Sequence, residues 1–215
     1  MIQNSNGYIT WESRELRYRD MFVKFISDDL FGFLRNQNRA FSFHQIDSPT
    51  LIPTESINHN YSQSDYYNLG EKSLRPETTS GSYAYARHLL KTQKHPFPAV
   101  IWQVGKSYRR EQDQGIQYMR LKEFYQMEFQ IIFSENTKND YYELLIDKVP
   151  KIINQFMKVT VVESDRLPSY SLKTMDIEVN GMEVCSMSNR TDFEGYKNAE
   201  IAFGLDRLVY QFLAK

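Results

Sequence analysis

Apolar residues return at helical spacing between Trp11 and about Asn38, where Phe22, Phe25, Ile26, Leu30, Phe33 and Leu34 sit among Arg14, Arg17, Arg19, Lys24 and Asp28. This period predicts a long amphipathic helix. Phe41 to Asp47 reads as a strand that Ser48-Pro49 stops. From Pro53 to Leu69 the chain is rich in Ser, Asn, Gln and Tyr and follows neither period, so a loop is expected there. Thr78-Thr79-Ser80 offers caps for a helix from about Gly81 to Gln93, which Pro96 and Pro98 end. A strand from Ala99 to Glu111 follows. After a polar loop containing Gly115, Glu123 to Phe133 alternates: Tyr125, Met127, Phe129, Ile131 and Phe133 take one face, Phe124, Gln126, Glu128 and Gln130 the other.

Helical spacing resumes at Tyr141, Leu145, Val149, Ile152 and Phe156, with Pro150 expected to kink or divide that helix. Two strands joined by Asn180-Gly181 come next, since this dipeptide is the strongest short hairpin signal. Ile201 to Leu213 reads as a short strand, Gly204 and a last helix. The order α-β-α-β-β-α-β-β-β-α predicts an α+β fold with an antiparallel sheet flanked by helices. Neither repeat nor linker interrupts it, so residues 1–215 are expected to form a single domain.

Composition narrows the function. Aromatic residues make up 14 %, too many for a disordered chain, and no apolar run approaches the roughly 20 residues of a membrane helix. No membrane partner is expected. A single cysteine, Cys185, and a start without a basic segment and apolar core point to a cytoplasmic, unprocessed protein. His44, His59, His88 and His95 lack the spacing of a zinc site. With 26 Lys+Arg against 27 Asp+Glu the net charge is −1, so any contact with nucleic acid must come from a local patch.

Three constellations could carry chemistry. Period two puts Gln103, Ser107, Arg109 and Glu111 on one face, and pairing of this strand with Glu123–Phe133 would add Phe124, Gln126 and Glu128 to the same surface. That surface is either a solvated charge run or a place where a ring stacks on a flat base while a guanidinium holds phosphate. A two-residue turn at Asn180-Gly181 would pair Val179 with Met182, Glu178 with Glu183, Ile177 with Val184 and Asp176 with Cys185. Asp176, Glu178 and Glu183 would then share a face, either as solvated acids on an edge or as ligands of a divalent cation. Arg207 falls in the first turn of the last helix, where a cation opposes the helix dipole. It serves either a ligand anion or a nearby acid. Arg75-Pro76-Glu77-Thr78, taken alone, is a helix start.

In this order the segments resemble the three signature motifs of class II aminoacyl-tRNA synthetases. The long helix and the strand ending at Pro49 look like the first motif, Tyr108-Arg-Arg-Glu111 with Arg120-Leu-Lys-Glu-Phe124 like the second, and Phe203-Gly-Leu-Asp-Arg-Leu208 like the third. The resemblance implies an ATP-dependent ligase that forms an aminoacyl-adenylate with Mg²⁺ and passes the acyl group to a tRNA 3′ end. Arg109 and Arg207 would be the catalytic cations. Arg109 would hold the α-phosphate, Glu111 and Phe124 the adenine, Arg207 the ring and γ-phosphate, and Asp176 and Glu183 the Mg²⁺. Leu74-Arg-Pro-Glu-Thr78 and Ser188-Asn-Arg-Thr-Asp-Phe193 look most like the glycyl type, which implies that Glu77, Gln126, Glu128, Glu183 and Glu200 surround a small amino acid.

The chain departs from that type in four places. Ile201-Ala202 stands where the glycyl type has Pro-Ser, Ser186 replaces a glycine, and Gly115 and Gln117 replace an arginine and a glycine in the loop that handles the tRNA end. Ala202 to Val209 and Asn180 to Cys185 look instead like the aspartyl/lysyl branch. The first motif implies a homodimer, and the end at Lys215 implies that no anticodon-binding domain belongs to this chain. Two other functions remain open: adenylation for a non-tRNA acceptor, and a non-catalytic paralogue acting as a dimeric accessory subunit.

Overall fold

The computed structural model describes residues 2–4, 7–110, 119–165 and 167–214. The chain runs β1 (Ile2–Asn4), β2 (Tyr8–Thr10), α1 (Ser13–Gln37), β3 (Ser42–Gln45), β4 (Leu51–Pro53), a short 3₁₀ turn, β5 (Lys72–Leu74), α2 (Thr79–Thr92), β6 (Ala99–Tyr108) and β7 (Glu123–Ser134). It continues with α3 (Tyr141–Ile153), β8 (Thr160–Glu163), β9 (Ser171–Val179), β10 (Met182–Arg190), β11 (Tyr196–Gly204) and α4 (Leu205–Leu213). One seven-stranded sheet in the order β3-β6-β7-β11-β10-β9-β8 carries the fold, and β1-β2 and β4-β5 are separate two-stranded pairs.

The period of each element decides what it buries. α1 puts Phe22, Ile26, Leu30 and Leu34 into the core at successive turns, and Phe22 meets Phe156 and Phe212 edge-on. β7 supplies Met127, Phe129, Ile131 and Phe133 to the same core, with Trp102 of β6 stacked on Phe129 at 5.6 Å. Each such side chain removed from water contributes about 1.5–3 kcal/mol. Helices α1, α3 and α4 therefore cover one face of the sheet. On the other face α2 packs Tyr83, Ala86 and Leu89 against Ile101, Ile132 and Phe193. The rest of that second face is polar.

The structure changes the expected picture in four respects. The sheet is mixed, because β3 pairs with β6 in parallel, Ser42 opposite Ala99. A parallel partner needs a crossover, and the chain makes it through β4, β5 and α2. β1, β2, β4, β5 and β8 are short strands that carry too few alternations to register as a period. Pro150 lies inside α3 without ending it. The β9–β10 hairpin begins as expected, with Asn180 and Gly181 at φ 51° and 74° and Glu183 opposite Glu178. A bulge then shifts the register, so that Cys185 faces Ile177 and Ser186 faces Asp176, in place of the expected Val184 and Cys185. Val184 and Cys185 consequently both enter the core.

Candidate active site

The polar face left open by α2 floors a cavity of 1170 Å³. Its floor comes from the sheet: Phe124 and Gln126 of β7, Glu200 and Ala202 of β11, Ser186 and Ser188 of β10, Thr174, Asp176 and Glu178 of β9. Loops bearing Asn60-Tyr61, Ser164-Asp165 and Leu167 to Tyr170 form the walls, joined where Ser169 Oγ donates to Asn60 Oδ1 at 2.8 Å. The β6–β7 register sets Gln103 against Glu128 and Ser107 against Phe124, so the two polar faces coincide as the sequence pattern required. Those faces are buried, however, and not solvated: Gln103, Ser107, Glu128 and Gln130 are each 0 % exposed.

At one end lies Arg109, just past β6, where its N–H still bonds Lys122 O at 3.0 Å. Its Nε donates to Pro76 O at 3.0 Å and its Nη2 to Tyr61 Oη at 2.9 Å. The guanidinium stands 5.4 Å from the Phe124 ring and 5.5 Å from the Tyr61 ring, a cation held among aromatic faces. Arg207 also lines the cavity. Its Nη1 donates to Glu183 O at 3.0 Å and lies 3.3 Å from Glu183 Oε2, so Arg207 is paired with an acid. Glu111, expected at the adenine, lies outside the described residues, as do Gly115 and Gln117.

A buried acid cluster occupies the middle. Tyr61 Oη donates to Glu77 Oε2 at 2.9 Å. Gln130 Nε2 bridges two carboxylates, donating to Glu128 Oε1 at 2.8 Å and Glu200 Oε2 at 2.7 Å. Glu128 also accepts from Thr78 Oγ1 at 2.8 Å and Gln126 Nε2 at 3.2 Å. Burial, then the charges of Glu200 and Glu77, push its carboxyl up to about 8. Burial raises Glu77 as well, although Arg190 and Arg109 oppose it. Glu77, Gln126 and Glu200 reach the cavity, whereas Glu128 sits one layer below the floor and acts on it through Thr78 and Gln126.

Arg190 gave no signal of its own in the sequence, yet it organises this cluster. It is 1 % exposed; Nη1 donates to Glu200 at 2.7 Å, Nε and Nη2 to Asp192 at 3.0 and 2.6 Å, and the guanidinium lies 3.8 Å over the Tyr170 ring. Such a bidentate pair is strong and directional. Arg75 has a different role. It is 2 % exposed and ties Lys106 O to Ser48, by Nε at 2.9 Å and Nη1 at 2.7 Å, which fixes the segment that presents Glu77. Gly105 makes room for it, since a β-carbon there would collide with Arg75 Nη2.

At the far end Asp176, Glu178 and Glu183 line the cavity together. Asp176 Oδ1 is buried with no hydrogen-bond partner, and burial raises its carboxyl. A buried, unpartnered carboxylate oxygen on a residue that lines this cavity fits a cation, and Mg²⁺ needs only one or two carboxylates when phosphates complete its shell. Among the described residues no group of three or more His, Cys, Asp or Glu is gathered tightly enough to form a cage by itself. Asp176 and Glu183 suit shared coordination with a ligand.

A mostly antiparallel sheet with arginines at both ends of an acid-lined floor defines a class, and the chain belongs to it: residues 61–205 match the class II tRNA synthetase core domain (G, H, P, S and T). Among individual proteins it is similar to glycine–tRNA ligase of Mycoplasma capricolum, 32 % identical over 132 residues, which cover 56 % of this chain and 29 % of that protein. Glycine–tRNA ligase of Staphylococcus saprophyticus is 30 % identical over 137 residues, 59 % of this chain and 30 % of that protein. The matched region thus spans under a third of these relatives' length. A solved pyrrolysyl-tRNA synthetase from Desulfitobacterium hafniense shares the fold, with a TM-score of 0.65 at 20 % identity over 94 % of this chain and 76 % of that one.

Proposed function

We propose that this chain is the catalytic core of an aminoacyl-tRNA ligase, which joins an amino acid to ATP and passes the acyl group to a tRNA 3′ end. The observation that carries this reading is Arg109 beside the Phe124 ring on the same cavity floor as Arg207, Asp176 and Glu183. Adenine stacks on Phe124, and Arg109 neutralises charge as the amino-acid carboxylate attacks the α-phosphorus and pyrophosphate leaves. Arg207 exchanges Glu183 for the γ-phosphate. Asp176 and Glu183 would hold Mg²⁺, which would supply charge neutralisation at the phosphates. Glu77 and Glu200 hold the substrate ammonium. Glycine is the substrate we propose, supported by the glycine–tRNA ligases that the chain resembles.

The chain is further proposed to act as a cytoplasmic homodimer; among the described residues no helix is long and apolar enough to cross a membrane. Amino-acid-dependent ATP–pyrophosphate exchange with Mg²⁺, run over all twenty amino acids, tests the reading. Exchange with glycine, lost in Arg109→Ala, is the expected result. A folded protein that exchanges with none of them refutes it. Acylation of bulk tRNA, measured beside carrier-protein and small-molecule acceptors, then identifies the recipient.

A further inference from the structure

The segment from Pro53 to Leu69 has no helical or strand period in its sequence, yet it delivers one side chain into the centre of the cavity. Tyr61 Oη accepts from Arg109 Nη2 at 2.9 Å and donates to Glu77 Oε2 at 2.9 Å. A phenol has one proton to give and lone pairs to receive with, so this single oxygen links a guanidinium to a carboxylate. The segment is held in place from several sides. Arg110 N bonds Asp65 O at 2.9 Å, Asp65 receives Ser62 N at 2.8 Å, and Asn60 is tied to Ser169 across the cavity mouth.

Arg109 and Glu77 belong to different subsites of the proposed reaction. One faces the phosphates and the other the ammonium. For the carboxylate to meet the α-phosphorus in line, the two groups must be fixed relative to each other, and Tyr61 is bonded to both. We propose that Tyr61 is a positioning residue that sets Arg109 and Glu77 in register, so that the nucleotide and amino-acid subsites are aligned before substrates arrive. Pro76 O shares this duty by holding Nε of the same guanidinium. The inference rests on the ligase reading for what is being aligned, and on the two hydrogen bonds for how.

Tyr61→Phe tests it, because the ring stays and only the linking oxygen goes. A misplacement of reacting groups by about 1 Å costs on the order of 100-fold in rate, so kcat for exchange is expected to fall by roughly 10- to 100-fold with the KM for ATP little changed. The acid limb of the pH–rate profile is expected to move upward as well. Glu77 is faced by Arg109, Arg190, Glu200, Glu128, Tyr170 and Tyr61, and among these the Tyr61 hydroxyl is the hydrogen-bond donor that favours its ionised form. Loss of packing alone would leave that limb where it is.

The same displacement is read without substrates, by carbon-13 titration of the Glu77 carboxyl in wild type and Tyr61→Phe. An active wild type with kcat and acid limb unchanged in Tyr61→Phe overturns the inference and leaves the ligase reading standing. A wild type without exchange refutes the ligase reading, and the Glu77 titration then decides whether Tyr61 governs this carboxylate at all. An unmoved titration overturns the inference there too.

Discussion

Replacing Arg190 by Met removes three charge-assisted hydrogen bonds from the deepest part of the site while keeping most of the side-chain volume. Two acids lose their counterion: Glu200, with a side chain 10 % exposed, and Asp192, 25 % exposed. Breaking a buried ion pair from one side costs about 3–5 kcal/mol, and the partial exposure of Asp192 favours the lower end, about 3. In a chain of this length that corresponds to a fall in Tm of about 6–12 °C.

The loss should depend on pH in a definite direction. In the wild type burial acts to raise Asp192, but the hydrogen bond and charge of Arg190 prevail and hold its carboxyl below the ordinary range. A depressed acid contributes stability that is present above its unfolded pKa, about 3.9, and lost as pH falls through the folded value. Without Arg190 burial is opposed only by the Tyr83 hydroxyl, which donates to Asp192 Oδ1 at 2.7 Å, and by a backbone N–H, so the carboxyl moves up from its wild-type position. The deficit should therefore be largest near pH 8 and shrink below about pH 5, where the acid protonates. Thermal unfolding followed by circular dichroism at both pH values measures this. A variant melting within a degree or two of the wild type, or with equal deficits at the two pH values, would show that Arg190 is not the counterion holding this cluster.

Two further outcomes are expected. Glu128, with its carboxyl pushed up to about 8 from the ordinary 4.5, contributes stability that is present at low pH and lost as pH rises to about 8, so urea unfolding of Glu128→Gln should show a flatter pH dependence across that window; an unchanged slope rejects the assignment. Asp176→Asn should raise the Mg²⁺ concentration for half-maximal exchange by about tenfold or more, the loss expected when one of the two proposed carboxylate ligands is neutralised, while stability holds or rises because a charge that burial disfavours is replaced by a neutral isostere. Mg²⁺ titration of the exchange rate, beside a thermal melt, checks both halves.

What could be read from the sequence was whatever depends on neighbours along the chain. Alternation in Glu123–Phe133 identified the core face of β7, and Asn180-Gly181 located the hairpin, because pleat and turn are local. The acids of β9 and β10 and the arginines at 109 and 207 were recognisable as residue types at meaningful spacing. The parallel partner of β3 was not legible, since nothing near Ser42 specifies a strand more than fifty residues on. Arg190 was hidden for a related reason: a charged residue in a polar stretch looks solvated until Asp192, Glu200 and Tyr170 are folded around it. Tyr61 was hidden by lying in a segment without a period. Long-range closure of this kind is a property of tertiary packing, and the site depends on it more than the core does.

The bulge in β10 works as a change of phase. Before it, Glu183 points to the cavity; after it, Ser186 and Ser188 do, and Arg190 reaches Glu200 on the same side, although an unbroken strand would have sent the two groups to opposite faces. The one extra residue therefore joins two independently addressed sets of side chains, the acids that suit a cation and the small floor with its arginine, on a single surface. Insertions or deletions at most places in a strand are ruinous because they invert everything beyond them. Here the inversion is already built in, and losing Val184 or Cys185 would undo it, turning Glu183 and the Ser186–Ser188 floor to opposite faces of the sheet.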